Sequence, residues 1–218
     1  VLPSVGDTFR GLGELLGSAD FYVALGWTLL RTLVGFVISL ALSLALALPA
    51  AFLKPVEKLL SPLVVIARAV PTMSIILLCL LWVSNRILPV VVSVFIVFPV
   101  LYTTILNAVV GVDKKLAEMS RVYKVPAARR AAKLYLPLSM PAILSGVQST
   151  LGLMVKLIIA GEVMSGTARS IGQAMNLAHQ YLETDVVLAY TLAAIALSAL
   201  LEGAVALVKK LALRWRYA

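Results

Sequence analysis

The sequence predicts an all-α integral membrane protein with five transmembrane helices in this chain, and three observations carry that prediction. Of its 218 residues, 61% are hydrophobic and only 13% charged, with a mean hydropathy of +1.02; soluble domains sit near ~45–50% apolar and ~25% charged. A water-soluble fold of this length could not hide so much apolar surface, so the natural solvent is lipid. Five apolar stretches reach the ~20 residues that a spanning helix needs. Finally, the cations collect between particular stretches instead of spreading along the chain.

Each span is expected to be helical, because lipid offers backbone groups no partner outside their own helix. The first covers residues 21–53 and is over-long, which puts its start, with Arg31, at or above the interface. The second covers 59–83, the third 87–110, the fourth 138–163 and the fifth 186–211. Prolines at 71, 99 and 141 fall inside or near span ends and predict kinks or broken starts. The lone Cys79 lies in an apolar run and reads as a packing residue, with no disulfide framework available. Residues 1–20 are polar and Gly-rich, without the basic start of a signal peptide.

Charge sets the orientation. A net charge of +9 would suggest nucleic acid in a soluble domain, but here the cations lie where membrane orientation requires them, and no nucleic-acid partner is expected. One side of the five-span arrangement holds Arg10, Arg86 and Arg169. The other holds Lys54, Lys58, seven cations of residues 113–137, and Lys209, Lys210, Arg214 and Arg216, a ratio of three to thirteen. The positive-inside rule therefore places residues 113–137 and the C-terminus in the cytoplasm. The N-terminal segment is then external, and an upstream first helix, six spans in all, is the expected resolution.

Residues 113–137 read DKKLAEMSRVYKVPAARRAAKLYLP. Spacings of three and four put Leu116, Met119 and Tyr123 on one face of a short helix, with Asp113 as its N-cap and Glu118 in its early part. Val125-Pro126 interrupts it, because the residue before proline disfavours helix while proline suits a first turn. A second short helix, residues 127–133, leads to Leu136-Pro137 at the mouth of the fourth span. An ordinary positive-inside loop with an interfacial amphipathic helix would carry much of the same pattern.

The spacing is more specific than that. Glu118-Met119-Ser120, Lys124 and Leu134-Tyr135-Leu136-Pro137 resemble the EAA loop of binding-protein-dependent ABC importer permeases, in which Glu-Ala-Ala is followed by Gly and later by Ile-x-Leu-Pro. The Glu, the Leu-Pro and the spacings match; Met119, Ser120, Leu134 and Lys124 depart from it. Glycine at the place of Lys124 permits a positive φ that lysine tolerates poorly. Most of the chain is similar to the nitrate/sulfonate/taurine group of these permeases. The matching segments are Trp27-Thr28-Leu29-Leu30-Arg31-Thr32-Leu33-Val34-Gly35-Phe36, Arg68-Ala69-Val70-Pro71, Gly161-Glu162-Val163-Met164 and Ser170-Ile171-Gly172.

The resemblance implies a type I importer permease, residues 1–218 forming one transmembrane domain in the bacterial inner membrane. It implies that the loop is a coupling helix seated in a separate ATPase. Leu116, Glu118, Met119, Ser120, Tyr123, Lys124, Val125, Pro126, Leu136 and Pro137 would carry that contact. No P-loop of the GxxxxGK[ST] kind is present, so ATP and Mg are expected on the partner and no cofactor or metal on this chain. The implied assembly is two ATPase subunits, a second permease copy, a solute-binding protein on the external loops, and surrounding lipid.

Polar groups at membrane depth mark candidates for the translocation pathway. Lys156 reads as a pathway cation facing an anionic solute, or as a lysine snorkelling or paired with Glu162. Gln148, with Ser145, Ser149 and Gly152, is either pathway lining or small-residue helix contact. Pro71, Thr72 and Ser74 break the second span where a gate could hinge. Glu162 is placed at the outer end, bracing the external loop, and Glu202 at a helix–helix contact. A serine protease reading fails because Ser145 is in a span while the only histidine, His179, falls in a loop. The remaining alternative, a transporter or channel without an ATPase, would be supported by inverted repeats, and no convincing repeat is visible.

Overall fold

The structure, a computed structural model, describes residues 5–213. Ten α-helices follow one another: α1 (Val5–Leu16), α2 (Ala19–Phe52), α3 (Lys54–Ala69), α4 (Thr72–Trp82), α5 (Leu88–Val110), α6 (Lys114–Val122), α7 (Ala127–Arg130), α8 (Leu136–Ser165), α9 (Ile171–Gln180) and α10 (Thr184–Ala212). A π-helical turn, Ala131–Tyr135, joins α7 to α8. Four helices, α2, α5, α10 and the stretch Ala131–Ser165, are long and apolar enough to cross a membrane, and α3 with α4 makes a fifth span if the bent pair counts as one.

The bend is 94° and falls inside the second span expected over residues 59–83, at the break that Pro71 predicts there. Its cause is local. Proline forces the residue before it out of the helical region, and Val70 and Pro71 both adopt extended backbone, with ψ of 128° and 133°. The chain turns a corner and restarts at Thr72. Pro99 and Pro141 do not break α5 or α8. Each lies in a helix packed against neighbouring helices, where the surrounding bundle tolerates a proline.

α5 is the central post. Val97, Leu101, Tyr102 and Ile105 along it are at most 1% exposed, packed with Phe36 and Ala47 of α2, Val64 of α3 and Ile143, Met154 and Ile158 of α8. Lipid offers little hydrophobic drive for helices to associate, so close approach through small residues supplies the dispersion contacts. Gly146 of α8 lies against the Thr104 side chain, and Gly161 against Pro89. A second cluster joins Phe21, Val155, Ile159, Ile171, Tyr190 and Leu197, holding α10 to α8 and α9.

Two helices were not read from the sequence. α1 forms within the polar N-terminal segment and packs on α10, with Gly11 against Asp185 and Ala189. α9 forms within the expected loop between the fourth and fifth spans. Ser170 caps it, accepting the Gln173 N–H at 3.0 Å, and Ile171, Gly172 and Ala178 are its buried face.

Candidate functional site

At the basic end, the residues between α5 and α8 form the expected helix–turn–helix. Asp113 Oδ1 accepts the Lys115 N–H at 2.8 Å and opens α6. At the other end of α6 the Val125 N–H reaches back to Ser120 O at 3.1 Å while Lys124 takes φ +52°, a Schellman-type closure with lysine in the left-handed position. The conformation expected of a glycine is thus retained, at the cost a Cβ adds in that region, about 1–2 kcal/mol. Pro126 starts α7, and its carbonyl accepts the Arg130 N–H at 3.0 Å. The π turn then delivers Leu136 and Pro137 to the start of α8. Edge-to-face packing of Tyr135 on Phe52, centroids 5.1 Å apart, fastens this elbow to the end of α2.

The exposed apolar surface of this loop is Met119, Val122 and Tyr123, at 53%, 78% and 76% exposure. Leu116 is half-buried, Ser120 is buried and Glu118 is exposed. Val122 was not among the residues singled out from the sequence. It belongs with them, because the helix turns its side chain outward beside Met119.

At the opposite end a polar network surrounds a buried carboxylate. Glu162 of α8 is fully buried and pairs with Arg31 of α2, Nη1 to Oε1 at 2.9 Å. Thr28 Oγ1 donates to the same carboxylate and accepts the Ile171 N–H at 3.1 Å. The Gly172 N–H donates to Glu162 Oε2 at 3.2 Å, and Arg31 Nη2 to Ala168 O at 3.3 Å. Thr167 Oγ1 donates to Asn85 O at 2.7 Å, adding the turn before α5. One carboxylate therefore gathers α2, α8 and α9. Lys156 does not pair with it. Arg31 was not among the candidate site residues read from the sequence, although Thr28 and Arg31, three apart, share the helix face that meets Glu162.

Two cavities flank these elements. One, about 810 Å³, lies between the start of α2, the turn before α5 and residues 166–169; Trp27, Arg31, Asn85, Arg86 and Arg169 line it. The other, about 630 Å³, lies between α8 and α10 and holds Lys156, Thr191, Ser198 and Glu202 among apolar walls. Glu202 accepts Ser198 Oγ at 3.2 Å and rests against the backbone of Gly152. Pro71, Thr72 and Ser74 are exposed at the α3–α4 corner, Gln148 is half-buried in α8, and with Glu162 they line neither cavity. The sequence-selected pathway residues are thus spread over the molecule, and Lys156 is the one among them facing a cavity described here.

A bundle of bent and straight membrane helices, interrupted by a capped and exposed basic elbow, defines a transport subunit built to meet another protein. Residues 39–213 match the family model of the binding-protein-dependent transport system inner membrane component, and the chain belongs to that family. It is 30% identical to the putative aliphatic sulfonates transport permease protein SsuC of Escherichia coli over 99% of this chain and 82% of that protein. It is 29% identical to the protein of the same name from Bacillus subtilis, over 99% and 78%. In fold it is similar to the inward-facing MetNI methionine ABC transporter, with a TM-score of 0.70 at 17% identity, covering 88% of this chain and 98% of that one. The protein is a multi-pass inner-membrane permease subunit of an ATP-driven ABC importer, which works with an ATPase partner and forms the translocation pathway.

Proposed function

We propose that residues 113–137 face the cytoplasm and that α6 is the coupling helix, seated in a cleft of the ATPase and displaced when the ATPase closes. The observation that carries this reading is the exposed trio Met119, Val122 and Tyr123 on a helix capped at both ends. Flexible and aromatic side chains suit a protein contact, and Glu118 with the surrounding cations would fix its orientation. Pro126, the π turn and Pro137 tie the knob to α8, so that force on α6 reaches a spanning helix. Lys124, Val125, Leu116, Ser120 and Leu136 shape that joint.

The chain catalyses nothing itself; ATP and Mg reside on the ATPase. The working assembly is two ATPase subunits, two permease copies and a solute-binding protein on the face opposite α6. The solute is a small organic anion, a reading supported by the names of the two SsuC relatives and by Lys156, whose ammonium at membrane depth costs about 2.5–3.5 kcal/mol on insertion scales. Pro71, Thr72 and Ser74 form a hinge for the gate.

The test is uptake by the reconstituted complex. Deleting residues 114–124 abolishes ATP-dependent uptake and ATPase capture; uptake that survives the deletion removes α6 from coupling. Lys156→Met lowers uptake of the native solute, and unchanged uptake excludes Lys156 from the pathway.

A further inference from the structure

The larger cavity gathers three arginines in one wall. Outside residues 113–137 and the chain ends, cations are few, yet Arg31, Arg86 and Arg169 all line this one space. Arg31 is committed to Glu162, which is buried behind it and does not line the cavity. The Arg86 and Arg169 side chains are exposed and have no hydrogen bond or ion pair among the described residues. Arg169 sits at φ +53° in the short link before α9, its N–H held by Gln173 Oε1 at 2.9 Å. A non-glycine residue in that region is sparsely populated and persists where the surroundings over-determine it.

The rest of the wall is apolar. Trp27, Leu30, Val34 and Ile87 face the same space, and the Trp27 ring lies under the Arg31 guanidinium at 5.7 Å. A volume of about 810 Å³ falls within the roughly 300–1,000 Å³ of small-ligand sites. Guanidinium groups match the planar or tetrahedral oxygens of sulfonates, phosphates and carboxylates. The α8–α10 cavity differs, since Lys156 shares it with Glu202 and its formal charges balance.

We propose that this cavity is an anion-binding site at the outer mouth of the permease, in which Arg86 and Arg169 hold the oxyanion of a small organic anion and Trp27, Leu30 and Val34 cover its hydrocarbon part. The proposal deepens the importer reading and takes its outer placement from it. It assigns selection by charge to the entrance, ahead of Lys156. A phospholipid headgroup presents the same oxyanion chemistry, so the experiment separates the two sources.

The experiment uses the permease–ATPase complex in phosphatidylcholine nanodiscs without ATP, so its outcome is independent of coupling. Trp82→Phe and Trp215→Phe leave Trp27 as the one tryptophan of residues 1–218, and its fluorescence, after subtraction of a Trp27→Phe control, is titrated with 1-hexanesulfonate, 1-hexanol and hexyltrimethylammonium. The expected result is a saturable change with hexanesulfonate alone. Its affinity falls at least tenfold in Arg86→Glu/Arg169→Glu and less in Arg86→Lys/Arg169→Lys, which keeps the charge. Arg86→Gln alone serves if the double reversal does not assemble. No saturable change, or equal affinity in the charge-reversed protein, overturns the proposal. A response produced by phosphatidylglycerol in the nanodisc, with none to hexanesulfonate in phosphatidylcholine, assigns the cavity to lipid and overturns it as well.

Discussion

The two ends of the bundle are built on opposite principles. Around Glu162 both carboxylate oxygens are matched within the chain, and the carboxylate is fully buried. Around α6 the backbone is equally well closed, but the side chains with most to gain from burial, Val122 and Tyr123, are left more than three-quarters exposed. One end is satisfied by its own sequence. The other leaves apolar side chains exposed, as the proposed ATPase contact requires.

The largest effect expected from breaking this contrast is Glu162→Ala. It strands the Arg31 guanidinium among buried groups, and removing one member of a buried pair costs about 3–5 kcal/mol. The purified protein should melt well below the parent in detergent, while Arg31→Met/Glu162→Met recovers much of the loss. A melting temperature unchanged in Glu162→Ala would mean that the network does not brace this end.

At the handle the signs reverse. Tyr123→Ala should leave melting within about 0.5 kcal/mol of the parent, as for exposed sites generally, yet weaken ATPase association by about 2 kcal/mol or more, roughly 30-fold, as for an aromatic anchor. Surface-plasmon or pull-down affinity reads the second quantity, and a Tyr123→Ala protein that unfolds would contradict its exposure. Gly172→Ala gives a smaller loss of stability at the opposite end. An added Cβ would meet Glu162 Cβ at 2.5 Å and Ile159 O at 2.7 Å, and overpacking of this kind costs about 1–3 kcal/mol. The smallest change is a gain: Lys124→Gly removes the left-handed penalty of about 1–2 kcal/mol, offset by the greater freedom of glycine in the unfolded chain. Protection of the residue 120–126 amides from hydrogen exchange should rise slightly.

Much of this architecture was legible in the sequence because lipid imposes strong rules. Four spans were read to within two residues of their observed ends, since apolar length alone decides them. The break at Val70-Pro71 was visible in the dipeptide, but its 94° was not, because the angle depends on how α4 packs against α5. The elbow from Asp113 to Pro137 was read almost entirely, its caps and proline being local signals. α1 and α9 were missed. Their faces are buried by α10 and by α8, and a short polar helix that depends on distant partners leaves little mark on its own composition. Of the site residues, Glu162 was read as bracing the link after the fourth span without its partner, and Arg31 was not selected as a site residue. Glu202 was read as a helix contact, and its seat on Gly152 agrees with that, but its sharing of a cavity with Lys156 was not foreseen.

What the sequence by itself determined are the quantities that a single segment carries: solvent, span length, capping and the distribution of cations about the spans. What only the tertiary structure decided are the pairings between segments more than a hundred residues apart, Arg31 with Glu162 and Thr28 with Ile171, and the convergence of Arg86 and Arg169 on one cavity. The physical reason is that hydrophobic length and backbone capping are local energies. The partner of a buried charge, and the neighbours of an exposed one, are fixed by how the helices cross.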